Sequence, residues 1–503
     1  MPVPKGKILT ILGASLPEVN PFTYGLNSWL TSIPFNEKGI EKLMFCRKLK
    51  PLKSRPGMAA IGPGNSLSGR KVAWNVIGLT CLLFGVSPRM QAQVNLNMSQ
   101  GTIFTPALEK VTQSGPSVVL PSLRLEGTYD SNLVTSQSGR LASGYGTVEG
   151  EGRYSLQHAS DDLLLTFIGG GRFYPQYPNL NAAIQDGRLQ WQHNFSSRSN
   201  FAVTGRFAKL PEGIFQQGNP SQNFPLLGSG DVSALFLQHQ VEISDGTVSW
   251  QQGLSAHTTL VLGDNYNLTK YFGNGLVDTR EQDAYGGINF TLSDRQSVGL
   301  QYAHQWMAYS QDLGRSQVHD AFLSYSAILS KEVSIQLFAG PALVSQTAVA
   351  TSSPTAVVGL PTSGLNAAGF TKQDLAGGGT LIFEFGRNKI QGQFTRLITG
   401  GSGFSTTVLR QSGTLKGTRA ITTRLNLGLE VSYSGNRPLG VANAQFKIYY
   451  LEPTIHYQLT PHLQIELRGS AGRVTGLSQL GSVDRNQATV QLEYQFREIP
   501  IKW

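Results

Sequence analysis

The sequence predicts an all-β chain that closes as a single large antiparallel transmembrane β-barrel of about 18 strands, within a range of 16 to 20. Three observations carry this. From about Val118 onward apolar residues recur at every second position, short polar turns alternate with longer connections rich in Gly, Asn and Pro, and a segment ordered like an export signal precedes the whole.

The export segment comes first in the chain. Arg70-Lys71 is followed by an apolar run from Val72 to Val86 and then by Met90-Gln91-Ala92-Gln93, the order of charged, hydrophobic and cleavage regions in a signal peptide. The run is too short for a membrane-spanning helix, which needs about 20 apolar residues. Gly78-Leu79-Thr80 before Cys81 is a poor match to a lipid-attachment site, so residues 66–93 read as a signal peptide cleaved near Ala92 or Gln93. Residues 1–65 show no periodicity and read as a non-structural extension, with Met58 as an alternative start; residues 94–117 read as a tether and 118–503 as the barrel.

Charge and cysteine usage exclude other classes. The formal net charge of +10 sits in the leader: residues 1–93 hold 12 Lys/Arg and 3 Asp/Glu, against 29 and 28 in the remainder. The exported part is therefore nearly neutral, and no nucleic-acid partner is expected. Both cysteines, Cys46 and Cys81, precede residue 94, which leaves no disulfide framework and no thiolate metal site beyond it.

The strands follow from alternation. Val490, Leu492, Tyr494 and Phe496 alternate with Gln491, Glu493, Gln495 and Arg497, and Leu425, Leu427, Leu429, Val431 and Tyr433 with Asn426, Gly428, Glu430 and Ser432. Such a strand has one apolar and one polar face. Tight turns are expected at His158–Asp162, Phe195–Asn200, Ser255–Thr259, Leu292–Gln296, Leu329–Val333, Phe385–Lys389, Ile421–Arg424 and Leu459–His462. Longer connections are expected at 210–243, 270–281, 346–371 and 474–485, with 232–243 open to either strand or loop. Eight hairpins plus the flanking segments 118–130 and 486–497 make 18 strands, and an even count returns both ends to the periplasmic side.

A soluble β-sandwich array or propeller has shorter strands or a fixed blade repeat, neither of which is present. Aromatic residues fall in two bands. Phe173, Tyr174, Tyr177, Tyr266, Tyr271, Phe272, Trp306, Tyr309 and Tyr433 lie toward the loops, and Trp191, Phe195, Trp250 and Tyr457 toward the turns, as at two membrane interfaces. Gly169-Gly170-Gly171 and Gly377-Gly378-Gly379 sit inside strand patterns, where glycine relieves crowding in a bent wall.

The segment Val490 to Phe496, with the final Trp503, resembles the C-terminal strand of bacterial outer-membrane barrels, although Pro500 and the extension past Phe496 depart from that pattern. Gly127-Thr128-Tyr129-Asp130-Ser131-Asn132-Leu133 resembles the first strand and loop of porin-like barrels found beside exopolysaccharide export systems. The resemblance implies a bacterial outer-membrane location, with outer-membrane lipid, lipopolysaccharide and the barrel-assembly machinery as partners, and a homo-oligomer as a further expectation.

Placing the apolar face toward lipid leaves candidate pore-lining charges on the other: Arg124, Glu126, Glu149, Glu151, Arg153, Arg172, Arg188, Arg206, Glu384, Arg424, Glu430, Lys447, Glu466, Arg468, Glu493 and Arg497. Rings of charge set a pore's ion preference, whereas charges paired across neighbouring strands only stabilise a polar wall. A lumen of 16 to 18 strands is wide enough for an aqueous channel. The expected function is passive passage of small solutes or a secreted polymer, the alternative being a non-conducting structural or adhesion barrel or the outer-membrane partner of an export system.

No enzyme and no cofactor are expected. His158, His257, His456 and His462 lie at or near turns, and no nucleophile stands at a recognisable spacing from the pairs His239/Glu242 and His319/Asp320. Intact-mass measurement of the exported chain should place its first residue at Gln93 or Val94.

Overall fold

The computed structural model describes residues 117–132, 142–158, 160–211, 240–272, 277–310, 314–347, 369–400, 407–439, 445–477 and 481–501. The proposed extension, signal peptide, both cysteines, Trp503 and most of the connections at 210–243 and 346–371 lie outside the described residues.

Period-2 segments of this length can bury neither face alone, and they associate edge to edge. The wall runs β1 (Ser117–Asp130), β2 (Ser143–Gln157), β3 (Asp161–Phe173), β4 (Ala182–Ser196), β5 (Ser199–Pro211), β6 (Gln240–Gly253), β7 (Thr258–Tyr271), β8 (Thr279–Ser293) and β9 (Gln296–Tyr309). It continues through β10 (Arg315–Ile328), β11 (Val333–Gln346), β12 (Phe370–Phe385), β13 (Asn388–Thr399), β14 (Val408–Ala420), β15 (Leu425–Pro438), β16 (Phe446–Thr460), β17 (Leu463–Leu477) and β18 (Gly481–Gln495). A two-residue strand, β19 (Ile499–Pro500), follows.

Each strand pairs antiparallel with the next, and β18 pairs back onto β1 from Ser122↔Gln495 to Asp130↔Gln487. The result is a closed 18-stranded antiparallel barrel, with the strand count and all eight tight turns where the sequence places them. One expected loop shrinks. Strands β17 and β18 stay in register as far as Val474↔Val483 and end at Leu477↔Gly481, so the connection expected over 474–485 is mostly strand.

Alternation sorts the side chains. Leu125, Phe167 (60% exposed), Leu300 and Leu323 (61% each), Leu375 and Leu467 face outward around the wall. A belt of that extent is covered only by an apolar solvent, and closure leaves no unpaired strand edge to meet it. The chain therefore crosses a membrane with its strands. The aromatic bands are partly redrawn. Phe173, Phe272 and Trp306 toward the loops and Phe195 and Tyr457 toward the turns are outward and exposed, whereas Tyr174, Tyr271 and Tyr309 take the inward phase and are buried. At the turn end two indoles also find polar partners, Trp191 Nε1 donating to Asp161 Oδ1 at 3.2 Å and Trp250 Nε1 to Ser199 Oγ at 3.2 Å.

Two glycines mark places where strands approach too closely for any side chain. A Cβ on Gly170 would collide with the Val148 carbonyl oxygen, and one on Gly340 with that of Ala321. In the two-residue turn after β12, Gly386 takes φ +58°, a left-handed conformation that glycine adopts without strain.

The seam between β1 and β18 carries more than backbone pairing. Asp130, fully buried, accepts hydrogen bonds from Arg485 Nε at 2.8 Å, Gln487 Nε2 at 2.9 Å and the Asn132 amide at 2.9 Å. Asn132 Nδ2 donates to the Asp484 carbonyl at 3.0 Å, and the Thr128 and Thr489 hydroxyls meet at 3.0 Å. Past Phe496 the chain straps the same seam: Ile499 and Pro500 pair with Val119 and Val118, and the Ile501 amide donates to Ser117 at 3.1 Å. The C-terminal extension thus extends the closure, and Pro500 sits in a two-residue strand at the end of the pairing. Asp130→Ala leaves Arg485 buried without its carboxylate. It should cost about 3 kcal/mol, read as a lower urea midpoint and partial loss of the heat-modifiable band on gels.

Candidate functional site

The inner wall is the candidate site, because there the polar phases of 18 strands converge on one enclosed space. Strand neighbours place the charges side by side. Arg124 on β1 lies between β2 and β18, with Nη1 3.0 Å from Glu149 Oε2 and Nη2 3.5 Å from Glu493 and 3.9 Å from Glu151. Glu151 also meets Arg153 at 3.2 Å. Across β4 and β5 the buried Asp186 is shared: Arg188 and Arg206 both grip it, at 2.6 and 2.9 Å, each with a second bond from Nε at 3.1 Å.

On the far side of the seam Arg468 holds Glu466 at 2.7 Å and reaches Gln491 at 3.5 Å. Lys416 meets Glu430 at 3.8 Å, and Lys389 meets Glu384 at 2.7 Å near the turn end. Toward the loop end Arg172 lies over the Tyr145 ring at 4.6 Å and donates to the Tyr174 hydroxyl at 3.5 Å. Glu126 accepts from the Thr128 hydroxyl at 3.0 Å. Most of the expected lumen charges therefore sit on the inward phase, as ion pairs either between adjacent strands or between residues two apart on one strand.

Three do not belong to the lumen wall. Lys447 shares the phase of Tyr449 and Leu451 and pairs with the outward Gly435, so it stands on the outer face near the loop end. The sequence does not fix where β16 begins, and a shift of one residue reverses the face. Arg424 is exposed in the turn before β15, and Arg497 is exposed beyond the end of β18. His319 and Asp320 cannot act together, because as strand neighbours they point to opposite faces, His319 outward and Asp320 inward. Glu242 is outward too and pairs with Lys270 at 2.9 Å, while His239 lies outside the described residues.

The sequence reading missed several inward acids: Asp130, Asp186, Asp245, Asp283, Asp320 and Glu452. Each could be found by counting in twos from a neighbour already assigned, as Asp186 from Arg188. Asp245 follows Arg206 in the register of β5 and β6 but accepts no hydrogen bond among the described residues.

The wall has two unlike halves. From β14 through the seam to β6 it is dominated by the ion pairs above. From β7 to β12 the inward phase carries fully buried Val261, Ala303, Val318, Phe322, Ala342 and Val344, with Asp283 and Asp320 set among them. Phe322 meets Phe338 edge to face at 5.5 Å between centroids. Among the described residues no group of three or more His, Cys, Asp or Glu could hold a metal ion.

No protein-family model and no curated protein sequence matches the chain. Solved structures similar to it include the Pseudomonas aeruginosa proteins OccK2 (OpdF), at 11% identity and TM-score 0.39, and OpdO, at 12% and 0.41; each alignment covers 76% of this chain and 97% of the other. The outer-membrane protein OpdK of the same organism aligns at 11% identity and TM-score 0.40, over 76% and 99%. The closure and strand count described above rest on this chain's own register.

Asp186→Ala removes the buried carboxylate that Arg188 and Arg206 share and is expected to lower the unfolding free energy by about 3 kcal/mol, measured in urea. Asp245→Ala removes a carboxylate that accepts no hydrogen bond from any described residue and should change it by less than about 1 kcal/mol.

Proposed function

We propose that the chain is a bacterial outer-membrane barrel whose lumen passes small solutes, with the eight tight turns on the periplasmic side. The observation that carries this is the closed 18-stranded wall, apolar outside and charged inside. Closed barrels of 16 to 18 strands leave an aqueous channel, whereas 8-stranded ones are filled by their own side chains. Several lumen charges keep contact with water, as with Lys389, Lys416 and Arg153. We read the lumen as a conduit and not as a catalytic site: His319 and Asp320 point to opposite faces of the wall, and the His193–Asp161 pair, at 2.8 Å, stands on the outer face at the turn end.

Ion pairing between neighbours cancels most of the lumen charge in the half that contains the seam. Glu126, Asp245, Asp283, Asp320 and Glu452 form no ion pair with a described residue. The reading therefore includes a modest cation preference. A second reading, a barrel that does not conduct, is favoured by the fully buried apolar side chains on the inward phase of β7 to β12. Passage of a secreted polymer through the same lumen is the finer form of the first reading, supported only by the resemblance of Gly127 to Leu133.

The deciding experiment is planar-bilayer recording of the refolded chain from Val94 onward in a KCl gradient. Stable discrete steps with a reversal potential on the cation side are expected. A chain that is folded and heat-modifiable yet silent at both polarities rejects the open pore and leaves the non-conducting barrel.

A further inference from the structure

The outer face of β7 to β10 does not match the rest of the belt. Asp264, Ala284, His304 and His319 form one row across these four strands, each aligned with the next in the backbone register. Asp264 lies midway along β7, a depth at which other strands place Leu125, Phe167, Leu337 and Leu451. Around the row stand Tyr266, Gln282, Tyr302 and Trp306, all in the outward phase.

These groups are ordered among themselves. The His304 and His319 rings stack at 4.1 Å and 20°, His304 lies 3.9 Å from the Trp306 ring, and the Tyr302 hydroxyl is 2.7 Å from His319 Nδ1. Gln282 Nε2 reaches both oxygens of Asp264 only at 3.3 and 3.4 Å. Nearer the loop end Lys270 pairs with Glu242 at 2.9 Å, and Arg280 lies over Tyr266 at 5.4 Å. Arg396, another charged residue of the outward phase, is held instead by Asp374 at 2.6 Å and by the Leu375 carbonyl.

A charged or strongly polar side chain on the lipid face of a barrel is destabilising, most of all near the bilayer midplane. Asp264 and the histidine pair sit where acyl chains would otherwise pack, so this sector calls for a polar cover. We propose that the outer face of β7 to β10 is a contact with a second copy of this chain. Lys270 is already held by Glu242 of β6, which leaves Asp264 as the acid and Arg280 as the base of this face, and two copies related by a two-fold axis can set one against the other. A lipid headgroup lies at the membrane surface and does not reach Asp264 midway along β7, which disfavours it as the cover. The contact is independent of whether the lumen conducts.

The test uses the full chain carrying Cys46→Ser and Cys81→Ser, with Ala284→Cys in the row or Leu467→Cys on the opposite wall, treated in the membrane with a bis-maleimide. A band of twice the mass is expected from Ala284→Cys and not from Leu467→Cys. The unmodified chain should run as a multiple of its own mass in lipid nanodiscs, and Asp264→Leu with His319→Leu should shift it to a single copy while keeping the heat-modifiable band. A single-copy mass for the unmodified chain, equal yields from both cysteines, or an Ala284→Cys adduct with a different protein overturns the proposal. Should the double variant fail to fold, the cysteine chains and the nanodisc mass decide.

Discussion

Everything in this molecule depends on the pairing of the first strand with the last. A sheet of 17 hairpin-linked contacts still has two free edges, and in hydrocarbon each unpaired N–H and C=O costs several kcal/mol. The seam removes both edges at once. It is also where the chain concentrates side-chain bonding: Asp130 and Arg485 meet across 355 positions of sequence, and Arg124 and Glu493 across 369. Joining ends that far apart carries a large loop-closure entropy, but that cost grows only logarithmically with length, so a few buried polar bonds and a full backbone ladder are enough to offset it.

Closure then dictates the electrostatics. Once the wall is shut, the polar phase of every strand faces one enclosed space, and charges on adjacent strands lie within reach of each other whether or not a solute is present. The structure settles most of them by lateral pairing, with one aspartate between two arginines as at Asp186, or one arginine among three glutamates as at Arg124. The strand neighbours that hold the barrel together are therefore the same residues that set the lumen's field, and a substitution at these positions alters the barrel's stability and that field together.

Much of this was legible in the sequence. Strand number, tight turns and the face of most charged residues follow from counting in twos, because a half-buried strand cannot deviate from that period without reversing its faces. What failed did so for local reasons. Lys447 was misplaced because Val441 to Gln445 mixes small apolar residues with Asn and Gln and gives no alternation that fixes the start of β16, and Tyr174, Tyr271 and Tyr309 because an aromatic near a strand end can serve either an interface or a rim. Pairs two residues apart on one strand, such as Asp186 with Arg188 or Glu466 with Arg468, follow from the same counting, but the pairings across strands were out of reach. Nothing in the residues around Arg124 says that Glu493 will stand beside it, since that depends on the register of every strand between. The polar row on β7 to β10 was visible only in part, with His319 read beside its sequence neighbour Asp320 and not beside His304, its neighbour in space.

The C-terminal strap has a consequence for how the chain can be cut and rejoined. Ile501 is hydrogen-bonded to Ser117, so the two ends of the described barrel meet at one rim, directly across the seam. A short peptide linking them, with new ends opened in one of the tight turns, would give a circularly permuted barrel with the same neighbours throughout. Any domain fused to either end would hang from a single point on the turn side.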